Sequence, residues 1–167
     1  KTPNLVIGDG ALGIWSALRE VFPDVKEQRC WNHKVINVMD KLPKRLQKEA
    51  GKRLREIYNA PSKAKCVEWA KDYAQSLRNK GYEEASETVL RGFDQFISFY
   101  DFPKEHWPHI RTSNPLESVF SGVRLRTNVT KRFRKARTAL YMVFKLIERL
   151  SLNWKPIKSR NLLSLII

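Results

Sequence analysis

Apolar and polar positions along this 167-residue chain follow two different rhythms. Leu5-Val6-Ile7 is a short continuous apolar run closed by Gly8-Asp9-Gly10. It predicts a buried parallel strand that ends in a turn. Residues 11–22 then place Ile14, Leu18, Val21 and Phe22 on one helical face, and Pro23-Asp24 stops the helix. Val25 to Cys30 has the length of a second strand, assigned by its position because its composition suits a strand poorly. Strand, helix, strand is half of an α/β sheet, and a right-handed crossover makes the two strands parallel. Two strands alone do not make a stable sheet, so further strands are expected upstream of Lys1.

From Trp31 the period becomes helical. Val35, Met39 and Leu42 form one stripe, interrupted by Pro43. Leu46, Ala50, Leu54 and Ile57 form a second, and Cys66, Ala70, Tyr73 and Leu77 a third that ends at Gly81. Val89, Phe93, Phe96, Ile97 and Tyr100 read as a fourth, stopped at Pro103. Such spacing predicts amphipathic helices packed as a bundle. Helix resumes from Pro115 to about Thr127, and a last one is expected from about Thr130 to Leu152 with Phe133, Leu140, Phe144 and Ile147 turned inward. The predicted fold class is α/β, predominantly helical. Residues 1–37 form a strand-helix-strand unit, 38–104 a helical segment, and 105–167 returning helices with a basic tail.

Charge changes this picture. The formal net charge is +15, and residues 111–160 carry 13 Lys and Arg against only Glu117 and Glu148. A basic stretch this concentrated favours a polyanion over a merely solvated face. Two cysteines, Cys30 and Cys66, are too few for a disulfide scaffold and fit a reduced, intracellular compartment. No apolar run approaches the roughly 20 residues that a membrane helix needs, and no signal peptide is expected.

Two carboxylates stand out. Asp9 follows a buried strand, at the sheet edge where α/β proteins place ligands; the plain alternative is a turn Asp. Glu117 follows Asn114 and Pro115, with Asn114 as N-cap, Pro115 at the first helical position and Glu117 closing a capping box. A capping Glu needs no catalytic role, yet the cap fixes where the carboxylate sits. Glu117, Ser121, Arg124 and Asn128 share a helical face. Cys30 and His33 have a Cys-x-x-His spacing, but Cys66, His106 and His109 supply no matching pair, so a four-ligand zinc site is disfavoured. A polar pair beside the acids is the better reading. Trp69 and Trp107 lie near basic residues and could stack on bases, although core packing is their default.

Three motifs in order, Val6-Ile7-Gly8-Asp9-Gly10 with Gly13, Arg29-Cys30-Trp31-Asn32-His33-Lys34, and Thr112-Ser113-Asn114-Pro115-Leu116-Glu117-Ser118, resemble those of the Mutator-type transposases of bacterial insertion sequences. The resemblance covers essentially the whole chain. It implies a ribonuclease H-like core split by an all-helical insertion, and an Asp-Asp-Glu triad holding two Mg²⁺ ions, with Mn²⁺ as a substitute. Asp9 matches the second Asp and Glu117 the Glu. Cys30, His33 and Asn114 would be supporting residues. The first Asp has no counterpart before Asp9, so the chain is expected to be the carboxyl-terminal part of a transposase, inactive by itself. Double-stranded DNA, both transposon ends and target, is the implied partner. Arg124, Arg126, Lys131, Arg132, Arg134 and Arg137 are candidates for phosphate contacts. A homo-oligomer and a cytoplasmic, nucleoid-associated location are implied as well. The alternative is a non-catalytic basic DNA-binding or dimerisation module.

Overall fold

The computed structural model describes residues 2–10, 12–130, 132–133, 135–154 and 156–165. Strand β1 (Leu5–Gly8) and strand β2 (Lys26–Arg29) pair in parallel, Leu5 opposite Lys26 and Gly8 opposite Arg29, joined through helix α1 (Leu12–Val21). The ladder runs one step further, since Cys30 N–H donates to Gly8 O at 2.7 Å. The poor strand composition of β2 has a local explanation in Gln28. Its side chain is fully buried, its Nε2 donates to Phe96 O at 3.0 Å, and its Oε1 accepts from Phe99 N–H at 2.8 Å. A buried amide with its donor and acceptor both used costs little. Among the described residues the sheet has these two strands, and the turns carrying Phe96 and Phe99 pack on β2.

Four helices make the main core: α2 (Trp31–Met39), α3 (Lys44–Tyr58), α4 (Lys63–Asn79) and α5 (Glu83–Leu90). Their boundaries follow local chemistry. Pro43 precedes α3, Ser62 Oγ accepts from Lys65 N–H at the start of α4, and Gly81 takes a left-handed φ of +82° after it. The first three apolar stripes face inward as expected, with Val35, Leu42, Ala50, Leu54, Ile57, Cys66, Ala70 and Leu77 buried. In the third stripe Ala74 is buried, and Tyr73 is only partly so.

The fourth stripe is not one helix. Gly92, at φ +60°, breaks the chain after α5, and Phe93–Phe96 and Ser98–Asp101 form two short 3₁₀ turns. Phe93, Phe96, Ile97 and Phe99 are buried all the same. In α1 the inward residue is Trp15, while Ile14 and Val21 are exposed.

After the short α6 (Trp107–Ile110) comes a helical pair, α7 (Asn114–Thr130) and α8 (Ala136–Ser151), which meet closely where Gly122 faces Leu150. Helix α8 begins later than the sequence predicts, at Ala136 with Lys135 as its N-cap. None of its residues is fully buried. Leu140 is 72 % exposed and Phe144 59 % exposed, against the expected inward face, and Phe133 and Ile147 are half-buried. The physical reason is that α8 packs mainly on α7. Trp107 behaves as core, edge-on to Phe99 and donating to Phe102 O. No described helix is long and apolar enough to cross a membrane.

Lys34 is buried against the Phe96 ring, with Nζ donating to Arg91 O at 2.7 Å. Burial, reinforced by the charges of Arg29 and Arg91, pushes its amine down to about 7. The unfolded chain therefore binds the extra proton between about pH 7 and pH 10, and this contribution to stability rises with pH over that window. Wild type minus Lys34→Met stability, measured by urea unfolding, should climb by about 1 kcal/mol per pH unit there. A flat difference would mean that the amine titrates normally.

Candidate active site

Asp9 is positioned by the ladder and by two close approaches. Trp15 Nε1 donates to Asp9 O at 2.9 Å, fixing the turn's backbone. A Cβ on Gly8 would lie 2.9 Å from the Trp15 ring, and one on Gly10 would lie 2.8 Å from Arg29 Nη2. Both glycines therefore make room for protein side chains.

Glu117 stands in the first turn of α7. Leu116 N–H and Glu117 N–H both donate to Ser113 O, at 3.0 and 3.1 Å, so the helix starts from Ser113. Asn114 is thus the first helical residue and not the N-cap. The capping box is replaced by a side-chain contact: Ser113 Oγ donates to Glu117 Oε1 at 2.6 Å. Asn114 has a different role. Its Oδ1 accepts from Asn32 Nδ2, tying the start of α7 to α2. Two further bonds bring the same segments together, Trp31 N–H to Arg111 O and Ser113 N–H to Cys30 Sγ, the latter at 3.3 Å.

Asp9 and Glu117, remote in sequence, line a single cleft of about 750 Å³ with His33, Ser113, Asn114, Ser121 and Arg124. The helical face predicted from Glu117 through Ser121 to Arg124 is therefore the cleft wall; Asn128, on the same predicted face, is not part of it. Arg126 lies on the α7–α8 side, in a hollow with Leu146 and Arg149. Arg132 and Arg137 are exposed, and Lys131 and Arg134 fall outside the described residues.

Cys30 and His33 join this site as a coupled pair. Burial pushes the Cys30 thiol up, but hydrogen bonds with Ser113 and His33 outweigh it and hold the thiol below its usual range. The hydrogen bond with Cys30 raises the His33 imidazole; burial opposes this, and the negative charges of Cys30, Glu117 and Asp9 support it. His33 Nδ1 is 3.8 Å from Glu117 Oε1. The Cys30 sulfur, a ring nitrogen of His33 and a Glu117 oxygen lie within 4.8 Å of one another. Sequence spacing missed Glu117 as the third member, because it arrives from a distant helix. Tetrahedral zinc with bonds of about 2.0–2.3 Å needs its donors roughly 3.5 Å apart, so this trio is looser than a formed zinc site. It fits a hydrogen-bonded Cys–His pair set beside a carboxylate.

The sequence matches the family described as "Transposase, Mutator family" over residues 1–156. It is 43 % identical over 164 residues to the transposase for insertion sequence element IS6120 of Mycolicibacterium smegmatis, covering 98 % of this chain and 50 % of that protein. It is 38 % identical over 152 residues to the transposase for IST2 of Acidithiobacillus ferrooxidans, covering 91 % and 51 %. To the transposase for ISRM5 of Rhizobium meliloti it is 28 % identical, covering 92 % and 38 %. The chain thus spans about half the length of the first two relatives. With a family match across nearly all its residues, and the motif residues Asp9, His33 and Glu117 gathered on one cleft, the chain belongs to the Mutator family of transposases.

Proposed function

We propose that the parent protein cleaves DNA strands and joins them to a target in a divalent-metal-dependent reaction, and that this chain carries two of the three metal-binding carboxylates. The observation that supports this is that Asp9 and Glu117 line the same cleft, together with Arg124. Their hard oxygen donors fit Mg²⁺ or Mn²⁺, which take carboxylates and keep several waters. Glu117 is half exposed, with Oε1 taken by Ser113, so Oε2 is open to an ion. Asp9 and Glu117 would hold the ions, which when bound activate the attacking oxygen and stabilise the leaving one in an in-line displacement at a phosphate.

The protein's own residues do the rest. Ser113 orients Glu117, and the His33 imidazole, raised by its hydrogen bond with Cys30, stands 3.8 Å from the carboxylate. Arg124, two helical turns along α7 from Glu117, holds a DNA phosphate, as do the exposed Arg132 and Arg137. Such contacts position DNA without reading its sequence. Residues 1–37 and 105–167 belong to a ribonuclease H-like core, with 38–104 as its helical insertion. The first Asp of the triad comes from upstream sequence, and the protein acts as a homo-oligomer on double-stranded DNA at transposon ends and target.

The test is strand cleavage in Mg²⁺ by the full-length parent and by residues 1–167 alone. The parent should cut and the shorter chain should not. Robust Mg²⁺-dependent nicking by the short chain would contradict the assignment of a missing third carboxylate.

A further inference from the structure

The Arg29–Lys34 motif contains two residues that the catalytic reading leaves unexplained, its first and its last. Both line a second hollow, together with Lys41 and Arg91. Phe96 and the single carboxylate Asp40 complete the part of the wall that matters. Lys41 is engaged with Glu84 at 2.9 Å. Arg29 and Lys34 have no carboxylate partner among the described residues.

Lys34 is 97 % buried, and its one described hydrogen bond goes to the Arg91 carbonyl. Arg29 Nε is buried and has no hydrogen-bond partner. Its guanidinium stacks over Phe96 at 5.3 Å, with Nη2 against Gly10. The buried Lys34 amine, which burial pushes down to about 7, and the unpartnered Arg29 Nε leave donor capacity unfilled with no ion-pair partner among the described residues, and that is costly. An anion with several acceptor oxygens removes that cost, and an arginine fork with a lysine point charge suits a phosphate.

We infer that the hollow formed by Arg29, Lys34 and Arg91 seats a backbone phosphate of the DNA, adjacent to the catalytic cleft. Arg29 supplies the link. It is paired with Gly8 across the sheet and touches Gly10, so it stands between the hollow and the Asp9 turn. The site rests on the DNA reading given above, and it adds a contact made by the bundle.

The test is the salt dependence of duplex DNA binding by the 167-residue chain, followed by fluorescence anisotropy. Each phosphate contact contributes about 0.9 to the slope of log K against log salt. Lys34→Met and Arg91→Gln should each weaken binding and lower the slope by about one contact. Lys52→Gln, at an exposed lysine of α3 outside the hollow, should leave the slope unchanged. Arg91 is an exposed side chain, so its variant remains informative if Lys34→Met fails to fold. Wild-type slopes in both hollow variants, or an equal loss in Lys52→Gln, would overturn this site while leaving the DNA reading standing. Absence of DNA binding by the wild-type chain would overturn both. A melting-temperature rise with inorganic phosphate that Lys34→Met abolishes, with DNA slopes unchanged, would assign the hollow to a free anion and overturn the proposal.

Discussion

Replacing Glu117 with Gln or Ala in the full-length parent will reduce strand cleavage to background while the protein stays folded, and Asp9→Ala will do the same. Metal stabilisation of a transferring phosphate is worth several kcal/mol, so the loss should reach about a thousandfold or more. The Gln variant is the sharper one. It can still accept a hydrogen bond from Ser113 Oγ, now at 2.6 Å from Oε1, while losing the charge that a cation needs. Glu117 is half exposed, so its replacement costs only what a helix-start contact contributes, about 1 kcal/mol or less. Cleavage measured beside the melting temperature separates chemistry from folding. Normal cleavage by either carboxylate variant would reduce Glu117 to a helix-start residue and Asp9 to a turn, and would leave a basic module without catalysis.

The largest stability effect belongs to Trp31→Ala. Trp31 is 1 % exposed, lies within 5.4–5.7 Å of the Tyr58, Phe93 and Phe96 rings, and donates from Nε1 to Phe96 O at 2.6 Å. Truncating a buried Trp costs about 3–5 kcal/mol, a large share of what a domain this size has. Phe96 O keeps the bond from Gln28 Nε2, so the loss is mainly of packing. The same residue opens α2, next to Cys30, and its backbone N–H holds Arg111 O, so the cleft should loosen with it. Denaturant unfolding checks the magnitude. A change under about 1 kcal/mol would mean the bundle is not organised around this side chain.

These two residues also show how far the sequence could be read. Stripes of period 3.6 placed α2, α3 and α4 and their buried residues, because each of those helices has one face on a shared core. The same rule failed at Phe93 to Tyr100, where one left-handed glycine turns the chain and the aromatics are buried from 3₁₀ turns. It failed again at Leu140 and Phe144, since an apolar stripe records what a helix can cover, and α7 covers only part of it. Strand-end and helix-start logic singled out Asp9 and Glu117 as candidates, and the structure brings both to one cleft. The Ser113 contact was not, because a one-residue shift of the helix start exchanges the cap for its neighbour. Lys34 and Gln28 could not be found as buried residues from type alone. Their burial depends on backbone carbonyls and N–H groups supplied by Arg91, Phe96 and Phe99, far along the chain.

The central claim is that one cation site draws on both Asp9 and Glu117, and Mn²⁺ titration of the 167-residue chain, followed by paramagnetic broadening of its amide NMR signals, tests it most directly. Gly10 and Ser118 should broaden together with a single apparent affinity, and either Asp9→Ala or Glu117→Ala should weaken the broadening at both. Broadening at the two positions with separate affinities, each surviving loss of the other carboxylate, would contradict a shared site.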